Sequence, residues 1–290
     1  MAIQTKTLRV RIRSKHEKVL NRMAFECNQV WNAANETSAA FSWVPVPEVG
    51  YINMQTSAFE LQKELKSIRA ERGMIINSQT FQEVIAVHAK ARKQFKTNKL
   101  KWRCSGGSRR SLGWVPFKVG TVVWKQNAIQ FCGMRFSCWD SYGLGAYEFR
   151  SGSFSQDVRG RWFFNVVVQC ETAALAGQGS VGVDLGLKTT ATCSNGDTLE
   201  RQDFYRNSET KLGIAQRAKK KKQIKHIHTR IKNRRADAIH KFSTKLVKEN
   251  SLIVVGNVKA SQLAKTKMAK SVLDAGWSML KTQLDYKSKA

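Results

Sequence analysis

Val181-Gly182-Val183-Asp184-Leu185-Gly186 reads as a buried strand that delivers one carboxylate at its end. About seventy residues further on, Leu252-Ile253-Val254-Val255-Gly256-Asn257 reads as a second buried strand, with glycine where a matching acid would stand. Between the two, Ser194-Asn195-Gly196-Asp197 is a turn sequence followed by a return strand near 198–204, which predicts a hairpin. A single long helix is expected over about 209–250, carrying Arg217-Ala218-Lys219-Lys220-Lys221-Lys222, and a further helix over 265–285. The order is therefore strand with an acid, hairpin, helix, second strand.

Working outward, the dominant property of the chain is charge. Its 290 residues hold 50 Lys and Arg against 21 Asp and Glu, a net charge of +29. A compact fold so charged repels itself until a polyanion neutralises it, and nucleic acid is the favoured partner because each phosphate contact releases a condensed counterion. An anionic membrane surface is the rival. No run of about 18 apolar residues is present, so no span is expected, and Met1-Ala2-Ile3-Gln4-Thr5-Lys6 lacks a signal-peptide core. A cytoplasmic, nucleoid-associated protein with no membrane partner is the expectation. The six cysteines form no Cys-x-x-Cys pair and, with five scattered histidines, no zinc pattern. Reduced, mostly buried thiols are expected.

The first 180 residues change character twice. In 5–13, Leu8, Val10 and Ile12 alternate with Arg9, Arg11 and Arg13, a half-buried strand whose other face is cationic. Helical patterns follow through Val19–Trp31, through Phe59–Ile68 up to Gly73, and from Asn77-Ser78 through His88, with a break at Pro45 and Pro47. Residues 90–110 hold nine cations, no acid, and the aromatics Phe95 and Trp102, a composition suited to tracking a backbone and stacking bases. Strand-like runs are expected at 114–119, 121–125, 128–132, 146–150 and 161–170, a β-barrel-like or sandwich module that the strand at 5–13 would join. Residues 173–179 read as a linker.

These motifs carry a resemblance. Val181-Gly182-Val183-Asp184-Leu185-Gly186-Leu187-Lys188 resembles the first RuvC motif of the TnpB family, transposon-encoded RNA-guided nucleases related to the type V CRISPR effectors. Ile253-Val254-Val255-Gly256-Asn257-Val258 resembles the second. Ala269-Lys270-Ser271-Val272-Leu273-Asp274-Ala275-Gly276-Trp277 and Leu284-Asp285-Tyr286-Lys287 resemble the helix after it. The fold this implies is α+β and multidomain: a wedge strand (1–15), a helical recognition insertion (16–104), the rest of a split wedge β-barrel (105–176), and a truncated RNase H-like (RuvC) α/β domain (177–290) without zinc ribbon or last catalytic motif. The chain departs from the family in having Gly256 where the second motif has Glu. It is also expected to end before the four-cysteine zinc ribbon and the third acidic motif, which leaves Asp184 as a vestigial carboxylate. A pair of divalent ions needs several carboxylates, so no catalytic Mg²⁺, no zinc and no enzymatic activity are expected.

The resemblance then implies a nuclease-dead, RNA-guided DNA-binding repressor that blocks a promoter. Its partners would be a guide RNA and double-stranded target DNA beside a short adjacent motif, and its state monomeric. The alternatives are a truncated RNA-guided endonuclease and a non-guided nucleic-acid-binding remnant. Lys219, Lys220, Lys221, Lys222, Arg230, Arg234 and Arg235 are the expected nucleic-acid contacts, with Lys93, Lys96, Lys99, Lys101 and Arg103 second.

Overall fold

The computed structural model describes all residues except 1, 41–42, 49, 54–55, 173–176 and 290; in the strands, the side chains of 2–4, 43–46, 50–53 and 171–172 are left aside. Most of the linker expected at 173–179 thus lies outside the described residues. The chain divides into two units, 3–170 and, with residues 1–2, 171–290.

In the first unit, β1 (Ala2–Ile12) leads into α1 (Glu17–Ala40) and a hairpin of β2 (Trp43–Val46) and β3 (Gly50–Asn53). Then come α2 (Ala58–Glu64), α3 (Ile68–Glu71) and α4 (Ser78–Phe95). The strands β4 (Trp114–Phe117), β5 (Val122–Lys125), β6 (Ala128–Phe131), β7 (Met134–Phe136), β8 (Cys138–Trp139), β9 (Phe149–Gln156) and β10 (Trp162–Thr172) complete it. One five-stranded sheet has the order β4-β9-β10-β1-β8, and β5-β6-β7 form a separate meander. The first strand therefore sits among strands more than a hundred residues away in sequence. Its alternation is kept: Leu8, Val10 and Ile12 are buried and Arg9, Arg11 and Arg13 exposed. The core beneath is aromatic, with Phe117, Phe131, Phe136, Phe154 and Phe164 packed at ring-centroid distances of 5.1–6.1 Å.

Three expectations change here. The helix expected over 59–68 is two short helices. Ser57 and Glu60 form a capping box that starts α2, and Arg69 Nε donates to Ile76 O (2.9 Å), folding the chain back on itself. The strand expected at 146–150 is instead β9, running on through Ser151-Gly152-Ser153-Phe154-Ser155-Gln156. Its serines face Asn165, whose amide donates to Ser153 O and Ser155 Oγ, so polar composition conceals a paired strand. The thiols are free, but Cys27 and Cys193 alone of the six are fully buried.

The second unit contains β11 (Gly179–Asp184), β12 (Ala191–Cys193), β13 (Thr198–Leu199), α5 (Arg206–Arg217), α6 (Lys221–Glu249), β14 (Asn250–Val255), α7 (Ala260–Leu263), α8 (Ala269–Ala275) and α9 (Trp277–Ser288). The sheet order is β13-β12-β11-β14. β11, β12 and β13 pair antiparallel, and β14 joins β11 in parallel, with Val181 opposite Ile253 and Val183 opposite Val255. A parallel join needs a long crossover, and α5 and α6 supply it. One sheet face buries Val181, Val183, Ala191 and Cys193 in a core with Ile239, Phe242 and Leu246 of α6 and Trp277, Leu280 and Leu284 of α9. The opposite face is bare: Leu252 is 57% and Val254 60% exposed.

The single helix expected over 209–250 is broken between Arg217 and Lys221, and that over 265–285 is divided at Gly276. Gly276 has φ +71°, and a Cβ there would stand 2.9 Å from Ile239 Cδ1 and 3.0 Å from Arg235 Cδ. Both the left-handed backbone and the close approach to α6 require glycine.

Candidate nucleic-acid interface and carboxylate site

The break between α5 and α6 is a Schellman turn. Lys220 N–H donates to Ala215 O and Lys219 N–H to Gln216 O, both at 3.0 Å, with Lys219 left-handed at φ +50°. A non-glycine residue pays for that conformation, and here the residue is one of four consecutive lysines. Lys219, Lys220, Lys221 and Lys222 are all exposed, as are Arg230 and Arg234. Among the described residues, no cation from 217 to 234 enters an ion pair. Such a block repels itself and invites a polyanion.

Arg235 stands apart from that group. Its guanidinium donates to Asp274 Oδ1 at 2.7 Å, the two side chains being 18% and 6% exposed. Asp274 also accepts Tyr205 N–H at 3.0 Å. Arg235 is thus engaged inside the protein, tying α6 to α8 and the start of α5.

The second basic stretch is built differently. Asn28, Asn32 and Asn35 recur at i, i+4 and i+7 along one face of α1 and clasp the irregular segment that follows α4. Asn35 donates to Leu100 O (2.8 Å) and accepts Leu100 N–H (2.7 Å). Asn32 does the same with Arg103 O and N–H, both at 2.9 Å. Asn28 donates to Ser105 Oγ (3.0 Å) and accepts from Arg103 Nε (2.6 Å). Arg103 also donates to Leu112 O (2.9 Å) and stacks near Trp31 and Trp114, and burial lowers its pKa. Arg103 is therefore a structural residue. Lys93, Lys96, Lys99 and Lys101 remain exposed, and so do Phe95 (68%) and Trp102 (46%). The asparagine spacing was a sequence signal, and it marks a helix face that binds backbone rather than apolar side chains.

At the sheet end, Asp184 is exposed and its carboxylate makes no hydrogen bond or ion pair with the described residues. Gly256 N–H donates to Val183 O (2.9 Å), extending the parallel ladder one residue past β14. A Cβ at Gly256 would lie 3.7 Å from Asp184 Oδ1 and 3.5 Å from Val183 O, ordinary contact distances, and the backbone is not left-handed. Neither space nor conformation demands glycine here. The two positions border an open concavity lined also by Gly182, Thr192, Ser194 and Val254, in which Asp184 is the carboxylate. Among the described residues no three His, Cys, Asp or Glu side chains converge on a point. A pair of metal ions needs several carboxylates to offset the ions' repulsion, so these residues do not fit a two-metal centre.

Residues 163–267, which carry both Asp184 and Gly256, match the OrfB_IS605 family, described as "Probable transposase". Over that stretch the chain is similar to this family. A Streptomyces pristinaespiralis protein named "Putative RNA-guided DNA endonuclease" is 34% identical over 149 residues, covering 46% of this chain and 37% of that protein. An Escherichia coli K12 protein, "Putative RNA-guided DNA endonuclease InsQ", is 28% identical over 158 residues, covering 44% of this chain and 39% of that one. The match thus spans less than half the length of either curated relative. A solved Cas12f1-sgRNA-target DNA complex aligns with 98% of this chain and 83% of its own at 13% identity and a TM-score of 0.32; a likeness at that level assigns no residue. Among the described residues, no helix is long and apolar enough to cross a membrane.

Proposed function

We propose that this chain is a TnpB-like protein that binds DNA under the direction of a guide RNA, does not cut it, and represses transcription by occupying a promoter. The observation that carries the loss of cutting is Gly256. It stands beside Asp184 in a position that accepts a side chain, so the missing second carboxylate is not a requirement of the fold. The 3-2-1-4 order of β13-β12-β11-β14, with Asp184 at the end of the central β11, supports the RNase H-like reading of this unit. The exposed, unpaired cations of the α5–α6 turn support phosphate contact, which positions a complex without specifying sequence. In this reading base pairing with the guide carries sequence, the protein reads backbone and a short duplex motif, and without cleavage the complex stays on its site.

The second reading is an RNA-guided nuclease, favoured by the printed names of the two curated relatives. The test is to purify the protein with its RNA, sequence that RNA, map the occupied genomic DNA sites, and challenge the complex with matched duplex in Mg²⁺. The expected result is one structured RNA whose end matches occupied promoter sites, with the duplex left intact. Strand scission would establish the nuclease reading. A random RNA population with unfocused DNA occupancy would remove the guided one.

A further inference from the structure

The five-stranded sheet carries a further cationic surface, on residues not assigned above. β1 lies between β10 and β8. Arg9, Arg11 and Arg13 project from its solvent-facing side, at a repeat of about 7 Å set by two residues of strand. Each meets an aromatic ring supplied by a neighbouring strand. The guanidinium of Arg9 lies 4.0 Å from the centroid of Phe163 on β10, and those of Arg11 and Arg13 lie 4.7 and 5.1 Å from that of Trp139 on β8. Arg11 and Trp139 are direct cross-strand partners. Trp139 is 44% exposed, and the three arginines are exposed and without a carboxylate partner among the described residues. No acid occurs in residues 1–16, and among the described side chains of β10 the other outward positions are Asn165, Val167 and Gln169.

We propose that this face, built on Arg9, Arg11, Arg13, Phe163 and Trp139, binds an unpaired polynucleotide strand by phosphate contact and base stacking. A guanidinium laid against an aromatic ring is held flat, with its edge N–H groups free for phosphate oxygens and its outer plane free for a base. Flat cationic planes on a sheet, interleaved with a half-open indole, suit unpaired bases, whose π-faces are available, better than a duplex, whose bases are stacked internally. Charge complementarity excludes a cationic partner. An acidic peptide supplies the charge but not the stacking planes. The inference rests on the reading of the chain as a nucleic-acid binder, but it uses none of the residues that reading assigns.

The test titrates the full chain with fluorescent ten-residue oligouridine RNA and oligothymidine DNA over a salt series. Comparing the two oligomers identifies which kind of strand is preferred. In the Arg9→Gln, Arg11→Gln, Arg13→Gln variant the log–log salt slope should fall by about 2, because each single-strand phosphate contact contributes about 0.7. The corresponding triple lysine variant should keep the slope but bind more weakly, since an ammonium offers charge without a stacking plane. Photo-crosslinks from a thiouridine strand should map to peptides containing Trp139 or Phe163. Unchanged affinity and slope in the glutamine variant, crosslinks confined to other peptides, or displacement of the strand by polyglutamate as readily as by polynucleotide would each overturn the proposal. If the glutamine variant fails to fold, the lysine variant and the crosslinks still decide. Wild-type protein that binds no nucleic acid would sink this inference together with the proposed function. Binding lost on neutralising Lys219–Lys222 but kept in the arginine variant would sink this inference alone.

Discussion

Residues 90–110 and 217–235 are nearly the same sequence feature, with nine and ten cations respectively and no acid in either. Their structures differ. In the first stretch Arg92 is 1% exposed and donates to Thr56 O, Arg103 is clasped by Asn28 and two indoles, and Arg110 donates to Gln156 Oε1 at 2.8 Å. In the second, Arg235 is tied to Asp274 while the cations before it stand in solvent. A count of charges cannot separate the two cases. What separates them is whether nearby helices offer acceptors and aromatic faces: α1 presents an asparagine row and Trp31 to the first stretch, whereas the α5–α6 turn is closed by its own backbone.

Replacing Lys219, Lys220, Lys221 and Lys222 with Gln should have the largest effect on binding. Four lost phosphate contacts lower the log–log salt slope by about 3 to 4 and weaken binding roughly a hundred- to a thousand-fold near physiological salt. Thermal stability should hold or rise, since a self-repelling block is removed. Arg235→Gln is the internal control. It should leave the salt slope unchanged and destabilise the fold by about 2–3 kcal/mol, because it strands the buried Asp274 carboxylate. A salt slope that moves with Arg235 and not with the lysines would reverse the assignment.

The first stretch should respond in the opposite currency, stability. Asn35 is fully buried and satisfies both polar groups of Leu100. Asn35→Ala leaves them unpaired and should cost about 3 kcal/mol in denaturant unfolding. Behind it, His88 is buried edge-on to Trp31, with Nε2 3.4 Å from Asn35 Oδ1. Burial, with Arg92 nearby, lowers its pKa to about 4. The unfolded chain therefore takes up a proton first as pH falls, so stability that is complete above about 6.5 declines towards pH 4, by about 2 kcal/mol. His88→Gln should flatten that part of the pH profile. An unchanged profile would mean that this region is not the closed, proton-excluding core its geometry describes.

Much of this was legible in sequence where one strand or helix carries its own pattern. The alternation of 5–13, the helix starting at Asn77 and the two strands around Asp184 and Gly256 all lie where the pattern puts them. The illegible parts depend on partners distant in sequence. β9 is a strand because Asn165 pairs its serines, Arg235 is not a free cation because Asp274 lies 39 residues away, and Arg11 meets Trp139 through cross-strand register. The breaks at Lys219 and Gly276 escaped for another reason. A left-handed lysine gives no compositional warning, and the glycine at 276 matters because of what it packs against.

The smallest expected effect concerns the other pair of contrasting positions, the two glycines. Gly276→Ala must force a side chain into Ile239 on a left-handed backbone, and should melt markedly lower than the parent. Gly256→Glu enters open space at ordinary contact distance from Asp184, so its stability should change by less than about 1 kcal/mol. Two adjacent carboxylates repel each other, and a shared divalent cation relieves that repulsion, so millimolar Mg²⁺ should raise the melting temperature of Gly256→Glu more than that of the parent. Two carboxylates still fall short of the set that aligns a pair of metals, so the matched duplex should remain uncut by the variant complex. Mg²⁺-dependent nicking by Gly256→Glu, with none by the parent, would show that the centre was one side chain from working, and that the proposed loss of cutting is a switch at Gly256 rather than a dismantled site.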